Sequence, residues 1–309
     1  MEFKGSDILS SKQFNRGDIE TVLKMASKMS PFASKKKWGN LMAGKLMASL
    51  FYEPSTRTRL SFETAMTRLG GSVVSAVGMQ FSSLSKGETL YDTGRIVEQS
   101  ADIIVMRHPD DFSAQKLAEG AGVPVINAGD GANEHPTQSL LDIFTIQKEL
   151  GKIDGLTVLM VGDMKFGRTV HSLASMLSHF NVEFLFVSPS ELKMPESVCR
   201  LLKEKNIKYK EMTDMGEAMK MADVLYMTRI QQERFENAKD YEKHRNSYIL
   251  TRELLKEKNP NLIVMHPLPR IWEITRDVDD LPGAAYFRQV ANGIAVRMAL
   301  LALIFGKQP

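Results

Sequence analysis

Residues 155–187 read GLTVLMVGDMKFGRTVHSLASMLSHFNVEFLFV, and their pattern decides the fold. An apolar run at 156–161 ends at Gly162. Apolar residues then recur at three- and four-residue spacing over 170–177, and a second apolar run follows at 182–187. Strands that are apolar along their whole length, separated by an amphipathic helix, belong to a parallel sheet buried on both faces. The alternation continues in both directions. Apolar runs at 46–51, 72–77, 103–106 and 123–126 precede this stretch and runs at 224–227 and 262–265 follow it, with helical spacing at 58–69 and 137–150. The predicted fold class is α/β, with two domains, each a mostly parallel sheet covered by helices on both faces, and a ligand site in the cleft between them. Gly151 stops the helix 137–150 and Gly155 opens a new strand, so the boundary is expected near 150, separating residues 1–150 from 151–284. A last helix, about 287–305, packs on either half as far as its pattern tells.

A length of 309 residues suits two such domains. With 43% hydrophobic and 25% charged residues, a disordered or fibrous chain is excluded. Lys+Arg 40 against Asp+Glu 37 gives a net charge of +3, too small to call for nucleic acid or an anionic membrane as partner. The single cysteine, Cys199, excludes an intrachain disulfide framework and a multi-cysteine zinc site. It lies in a helical stretch without basic or histidine neighbours and reads as a structural thiol. The segment 294–305 is interrupted by Arg297 and falls short of the ~20 residues that span a bilayer, so it reads as a buried helix. The N-terminus lacks the apolar run of a signal peptide, and the expected location is the cytoplasm.

Chemistry concentrates where strands end. After the run 46–51, Pro54 stops the strand, and Ser55 or Thr56 is placed to cap the next helix. Hydroxyls, backbone N–H groups and Arg57 then meet at a helix N-terminus, where a phosphate is the natural occupant. Two of three His-Pro pairs, His108-Pro109 and His266-Pro267, follow a strand. Proline holds each histidine extended at the strand's carboxyl end, the rim where open α/β sheets bind ligands. For these two, a structural histidine satisfied by backbone stands equally with a ligand contact. His135-Pro136 opens the helix 137–150, where a neutral imidazole could donate to a polarised carbonyl oxygen. None of the histidines has metal-ligand spacing, so no metal is expected.

In GDMKFGRTV (162–170), Met164 stands where a dinucleotide-binding loop needs glycine, which argues against a nicotinamide cofactor. Lys165 and Arg168 suit a smaller anion such as a carboxylate. Arg229, at the end of the run 224–227, would share that rim, and two arginines there are what a dicarboxylate needs; Arg234 reads as part of a solvated surface network. The polar segment 81–89, tipped by Lys86, has the character of a loop that swings toward a site.

Seven motifs in order resemble the aspartate/ornithine carbamoyltransferase family: FYEPSTRTRLSFETAMTRLGG (51–71), SKGETLYDT (85–93), MRHP (106–109), HPTQSLLD (135–142), GDMKFGRTVHSL (162–173), LYMTRIQQERF (225–235) and MHPLPR (265–270). The late motif, the lysine loop and TRIQ are similar to the aspartate-specific catalytic chains rather than the ornithine-specific ones, which carry HCLP. The resemblance implies transfer of a carbamoyl group from carbamoyl phosphate to L-aspartate, a step of pyrimidine biosynthesis, without metal or cofactor. It implies that Ser55, Thr56, Arg57, Thr58 and Arg107 hold the phosphate. Thr58, Arg107 and His135 would polarise the carbonyl, and Gln138 with the backbone around Leu268-Pro269, joined by a cis bond, would take the carbamoyl amide. Arg168, Arg229 and Gln231 would hold the aspartate carboxylates. Ser82 and Lys86 would enter from an adjacent subunit, Lys86 as a further catalytic and aspartate-binding group, which implies a homotrimer. The first domain would be completed by the C-terminal helix, 285–309. Whether regulatory chains join is left open. The rivals are an ornithine carbamoyltransferase, which these cationic residues oppose, and an inert scaffold subunit, which should have lost some of these ligands. Phe166, Ser85 and Trp272 depart from the family's common residues, the last with a bulky group expected near the site mouth.

Overall fold

The computed structural model describes residues 1–34, 36–79, 82–230 and 237–309. By its internal contacts the chain forms two compact units, residues 1–144 with 290–309, and residues 145–289.

The first unit begins with α1 (Arg16–Ala33), whose Asn15 cap and Asp18 form a reciprocal capping box. Then come β1 (Leu46–Phe51), α2 (Thr56–Arg68), β2 (Ser72–Val77), α3 (Leu90–Val97), β3 (Ile103–His108), α4 (Ser113–Ala118), β4 (Val125–Asp130) and α5 (Pro136–Leu150). The strands form a parallel sheet in the order β2-β1-β3-β4. Ile103, Ile104, Val105 and Met106 are wholly buried, as the unbroken apolar run requires of a central strand. β2 lies at the sheet edge and leaves Val74 and Val77 exposed. β4 starts two residues later and runs four further than its apolar stretch suggests. Pro124 has no N–H to give to the ladder, and polar Asn127 and Asp130 are bonded to each other at 2.9 Å inside the fold.

In the second unit β5 (Leu156–Val161), α6 (Arg168–Leu177), β6 (Val182–Val187), α7 (Glu196–Glu204), β7 (Tyr209–Met212), α8 (Met215–Met221), β8 (Val224–Met227), α9 (Ala238–His244) and β9 (Ile263–Met265) follow in order. The sheet is again parallel, β7-β6-β5-β8-β9. β7 has no counterpart in the apolar pattern. Its sequence, YKEM, is half exposed and it pairs only with β6, so an edge register rather than burial makes it a strand. α10 (Tyr286–Ile304) closes the chain, and the unit boundaries fall within α5 and α10. Length and apolarity would let α10 cross a membrane, but 67% of it is buried inside protein, as a core helix is.

Candidate active site

In the first unit the residues singled out from the sequence gather on one rim, where β1, β3 and β4 end. Ser55 is the N-cap of α2, yet its side chain makes no capping hydrogen bond. The first N–H groups of α2 and this hydroxyl are thus left for a bound anion, at the positive end of the helix dipole. Thr56 is exposed, Arg57 half-buried and Thr58 buried. Partial burial lowers the Arg57 pKa from its ordinary 12.5, a guanidinium that is still charged at neutral pH and gains by taking an anion.

Arg107 is set beside this turn by strand pairing. It is the partner of Phe51 in the β1–β3 register, and its carbonyl accepts from Tyr52 N–H at 2.9 Å. Its Nη2 pairs with Glu53 Oε2 at 2.6 Å and its Nη1 donates to the Ala128 carbonyl at 3.3 Å. Glu53 lies inside the first motif but was not singled out by sequence. Its carboxylate aims Arg107 across the rim and offers a charge that an incoming anion can replace.

His135 immediately precedes α5, with Pro136 in the first helical position where its missing N–H costs nothing. The His135 carbonyl accepts from Gln138 N–H at 3.0 Å and Ser139 N–H at 3.3 Å. The segment before it is anchored by Glu134, a buried carboxylate accepting from Ser10 and Ser11. Gln138 is buried, and its Nε2 donates to Asp142 Oδ1 at 2.9 Å.

His108 takes the structural role. Its Nδ1 accepts from Asp110 N–H at 3.1 Å and lies 3.0 Å from Ser113 Oγ, with Tyr52 packed edge-on against the ring. Burial lowers its pKa, so it stays neutral near pH 7. His266 is also structural. Its Nδ1 accepts from Leu268 N–H at 2.7 Å, which leaves Nε2 to carry the proton toward Glu273 Oε1 at 2.9 Å. The other Glu273 oxygen accepts from the N–H groups of Ile271 and Trp272. This buried clip holds the turn that carries the cis Leu268-Pro269 bond, with Leu268 at a φ of 57°.

The second unit's rim runs along the ends of β5, β8 and β9, neighbours in its sheet. Arg168 opens α6 behind Gly167, and the loop before it is fixed where His171 Nε2 meets the Met164 carbonyl at 2.6 Å. Arg229 follows β8 by two residues. Thr228 ties the two loops: its N–H and hydroxyl bond the Val161 carbonyl, and its hydroxyl accepts from Asp163 N–H. Gly162 has a φ of 119°, and a Cβ there would lie 2.3 Å from the Thr228 carbonyl, so only glycine fits this contact.

Ser82 bonds the Met79 carbonyl, and Lys86 is exposed at the end of a short 3-10 turn, Ser83–Lys86. Gln231 and Arg234 lie outside the described residues. Trp272 and Phe166 pack against one small cluster of Leu192, Ile230 and Tyr241, with Trp272 Nε1 donating to the Arg245 carbonyl at 2.8 Å. Both unusual aromatics therefore serve packing within the second unit. Among the described residues no three His, Cys, Asp or Glu side chains gather as metal ligands would.

Two family models match the chain: the aspartate/ornithine carbamoyltransferase carbamoyl-P binding domain over residues 6–148, and the Asp/Orn binding domain of the same family over residues 154–304. The chain is 51% identical over 306 residues to the aspartate carbamoyltransferase catalytic subunit of Thermococcus kodakarensis, covering 99% of each. It is similar to the solved catalytic subunit of M. jannaschii aspartate transcarbamoylase, with a TM-score of 0.90, 50% identity and coverage of 97% of this chain and 98% of that one. A Trypanosoma cruzi aspartate transcarbamoylase solved with carbamoyl phosphate and aspartate superimposes with a TM-score of 0.91 at 40% identity, over 99% of this chain and 98% of that one.

Proposed function

The chain belongs to the aspartate/ornithine carbamoyltransferase family, and we propose that its first unit, completed by the C-terminal helix, takes carbamoyl phosphate while its second takes L-aspartate. The reaction is transfer of the carbamoyl group of carbamoyl phosphate to the amino group of L-aspartate, giving N-carbamoyl-L-aspartate and phosphate. The observation that carries this assignment is the open cap of α2, where Ser55 makes no capping bond beside Arg57 and Arg107.

Ser55, Thr56, Arg57, Thr58 and Arg107 hold the phosphate. Thr58, Arg107 and His135 donate to the carbonyl oxygen and stabilise the oxyanion that forms as the amine attacks. Gln138 and the backbone at Leu268-Pro269 hold the carbamoyl amide. Arg168 and Arg229, with Gln231, bind the two carboxylates of L-aspartate. The amine attacks in its neutral form, and its proton leaves with the departing phosphate, since among the described residues no side chain on either rim is placed as a dedicated base. The protein's contribution is positioning and charge stabilisation.

Ser82 and Lys86 serve the site of an adjacent subunit in a homotrimer. Supporting this, exposed Val74, Val77, Tyr91 and Ile96 flank that segment in sequence, apolar surface that another copy would cover. The free, buried Cys199 accords with a cytoplasmic location.

The test is carbamoyl transfer by the purified chain with L-aspartate against L-ornithine, together with its molar mass. Turnover with aspartate alone, at a mass near three chains, is expected. Ornithine turnover would overturn the roles of Arg168 and Arg229, and full activity at the mass of one chain would overturn the shared site.

A further inference from the structure

Arg297 is a charge within the apolar C-terminal half of α10, and only 3% of its surface is exposed. Its Nη1 donates to Ser61 Oγ at 2.7 Å, and its guanidinium lies 4.9 Å from the centre of the Phe62 ring, both on α2. Space for it is kept by Gly293, one turn earlier, where a Cβ would come within 2.9 Å of Nη1. Burial lowers the pKa of Arg297, while the field of Asp142 raises it and that of Arg107 lowers it. Asp142 is itself wholly buried, one turn after Gln138 on α5. A buried carboxylate without a cation beside it tends to take up a proton, and the guanidinium opposes that.

The charge state of Asp142 decides which way Gln138 faces. An ionised carboxylate only accepts hydrogen bonds, so the carboxamide must turn its NH₂ toward Asp142, as observed at 2.9 Å. Its carbonyl oxygen then points the opposite way. A protonated Asp142 could donate instead and would allow the carboxamide to turn over. The carbamoyl group ends in an NH₂, which donates and needs an acceptor.

We propose that Asp142 is a positioning residue for carbamoyl transfer: its hydrogen bond to Gln138 Nε2 turns Gln138 so that Oε1 faces the carbamoyl nitrogen. This rests on the assignment of Gln138 to the carbamoyl amide made above.

The test is a polarity swap, with kcat/KM for carbamoyl phosphate and thermal melting measured on four variants. Gln138→Ala tests the underlying assignment alone. Asp142→Asn replaces an acceptor-only partner by a carboxamide that can present either its oxygen or its NH₂, so Gln138 is no longer held in one orientation, and kcat/KM should fall by ~10–100-fold. Gln138→Glu should be impaired as well, because it sets two carboxylates side by side. In the double variant Gln138→Glu/Asp142→Asn the new carboxylate accepts from the new carboxamide and still offers an oxygen to the substrate, with one negative charge left for Arg297. It should recover at least ~10-fold over the worse single variant. A merely structural Asp142 predicts no such recovery in folded protein. If Asp142→Asn does not fold, comparing the double variant with Gln138→Glu decides in the same way. An impaired Gln138→Ala beside a fully active Asp142→Asn overturns the positioning role alone, as does a folded double variant no better than the worse single one. An unimpaired Gln138→Ala overturns the assignment beneath it.

Discussion

On the proposed assignment the two rims would meet their anions by different means. In the first unit the cradle is local: Ser55, Thr56, Arg57 and Thr58 are consecutive residues at the start of α2, so hydroxyls, N–H groups and a guanidinium come from one turn of chain. In the second, Arg168 at the start of α6 and Arg229 after β8 come from separate segments, which the pairing of β5 with β8 brings to one edge of the sheet. A helix N-terminus converges many donors on a compact oxyanion and suits a group whose charge grows as it departs. Two separate guanidinium forks suit a molecule carrying two carboxylates whose charges do not change. Lesions on the first rim should therefore slow the chemical step, and lesions on the second should weaken binding.

The largest effect is expected at Arg57. Arg57→Ala should lower kcat by about 10³-fold, since its charge matters most as phosphate leaves. Steady-state kinetics with carbamoyl phosphate varied at saturating aspartate measures this. A rise confined to KM for carbamoyl phosphate would put Arg57 in ground-state binding and erase the contrast between the rims. Arg229→Ala should instead raise KM for aspartate by ~10–100-fold while kcat changes by much less. Equal losses in kcat would show that the second rim also acts on the transition state.

How far each rim was legible in the sequence follows from the same contrast. The turn at Ser55–Thr58 could be read because its parts are contiguous, and the strands because unbroken apolar runs are what a doubly covered parallel sheet requires. β7 could not, since YKEM carries no apolar run and becomes a strand only by pairing with β6. Glu53, Asp142 and Glu273 escaped for a related reason. Each is an ordinary acid in sequence: Glu53 and Glu273 acquire their roles from Arg107 and His266, which the fold brings beside them, and Asp142 from Gln138 one turn earlier. Only Arg297 left a trace, as a charge interrupting an apolar stretch, and that interruption is the signal to follow in a helix of this kind.

The second rim also depends on backbone fit, which stability measurements can sharpen. Gly162→Ala must place a Cβ 2.3 Å from the Thr228 carbonyl at a φ of 119°, and should destabilise the fold by about 2–4 kcal/mol. Gly155→Ala is its control. The φ there is 76° with nothing within 4 Å, so only the left-handed conformation is penalised, at about 1 kcal/mol. Chemical denaturation of both variants separates contact from conformation. Equal losses would mean that the Gly162–Thr228 approach relaxes and does not fix the positions of Arg168 and Arg229.

The smallest of these effects concerns the clip beneath Leu268-Pro269. Burial raises the pKa of Glu273, but bonds from His266 and the backbone outweigh this and hold it below its ordinary 4.5. A carboxylate whose pKa is lowered by folding adds stability that is present above 4.5 and is lost as pH falls through the lowered value. Glu273→Gln turns an NH₂ toward groups that already donate, and should cost about 2 kcal/mol at neutral pH. Because the wild-type advantage is one of charge, the gap between the two proteins should narrow on acidification. Asp130 in the first unit gives the opposite slope: burial raises its pKa, so protonation removes a penalty as the pH falls. Melting both Glu273→Gln and Asp130→Asn across the acid range therefore sets one unit's buried acid against the other's. A Glu273→Gln gap that stays constant with pH would show that shape, and not the charge on the carboxylate, holds the turn.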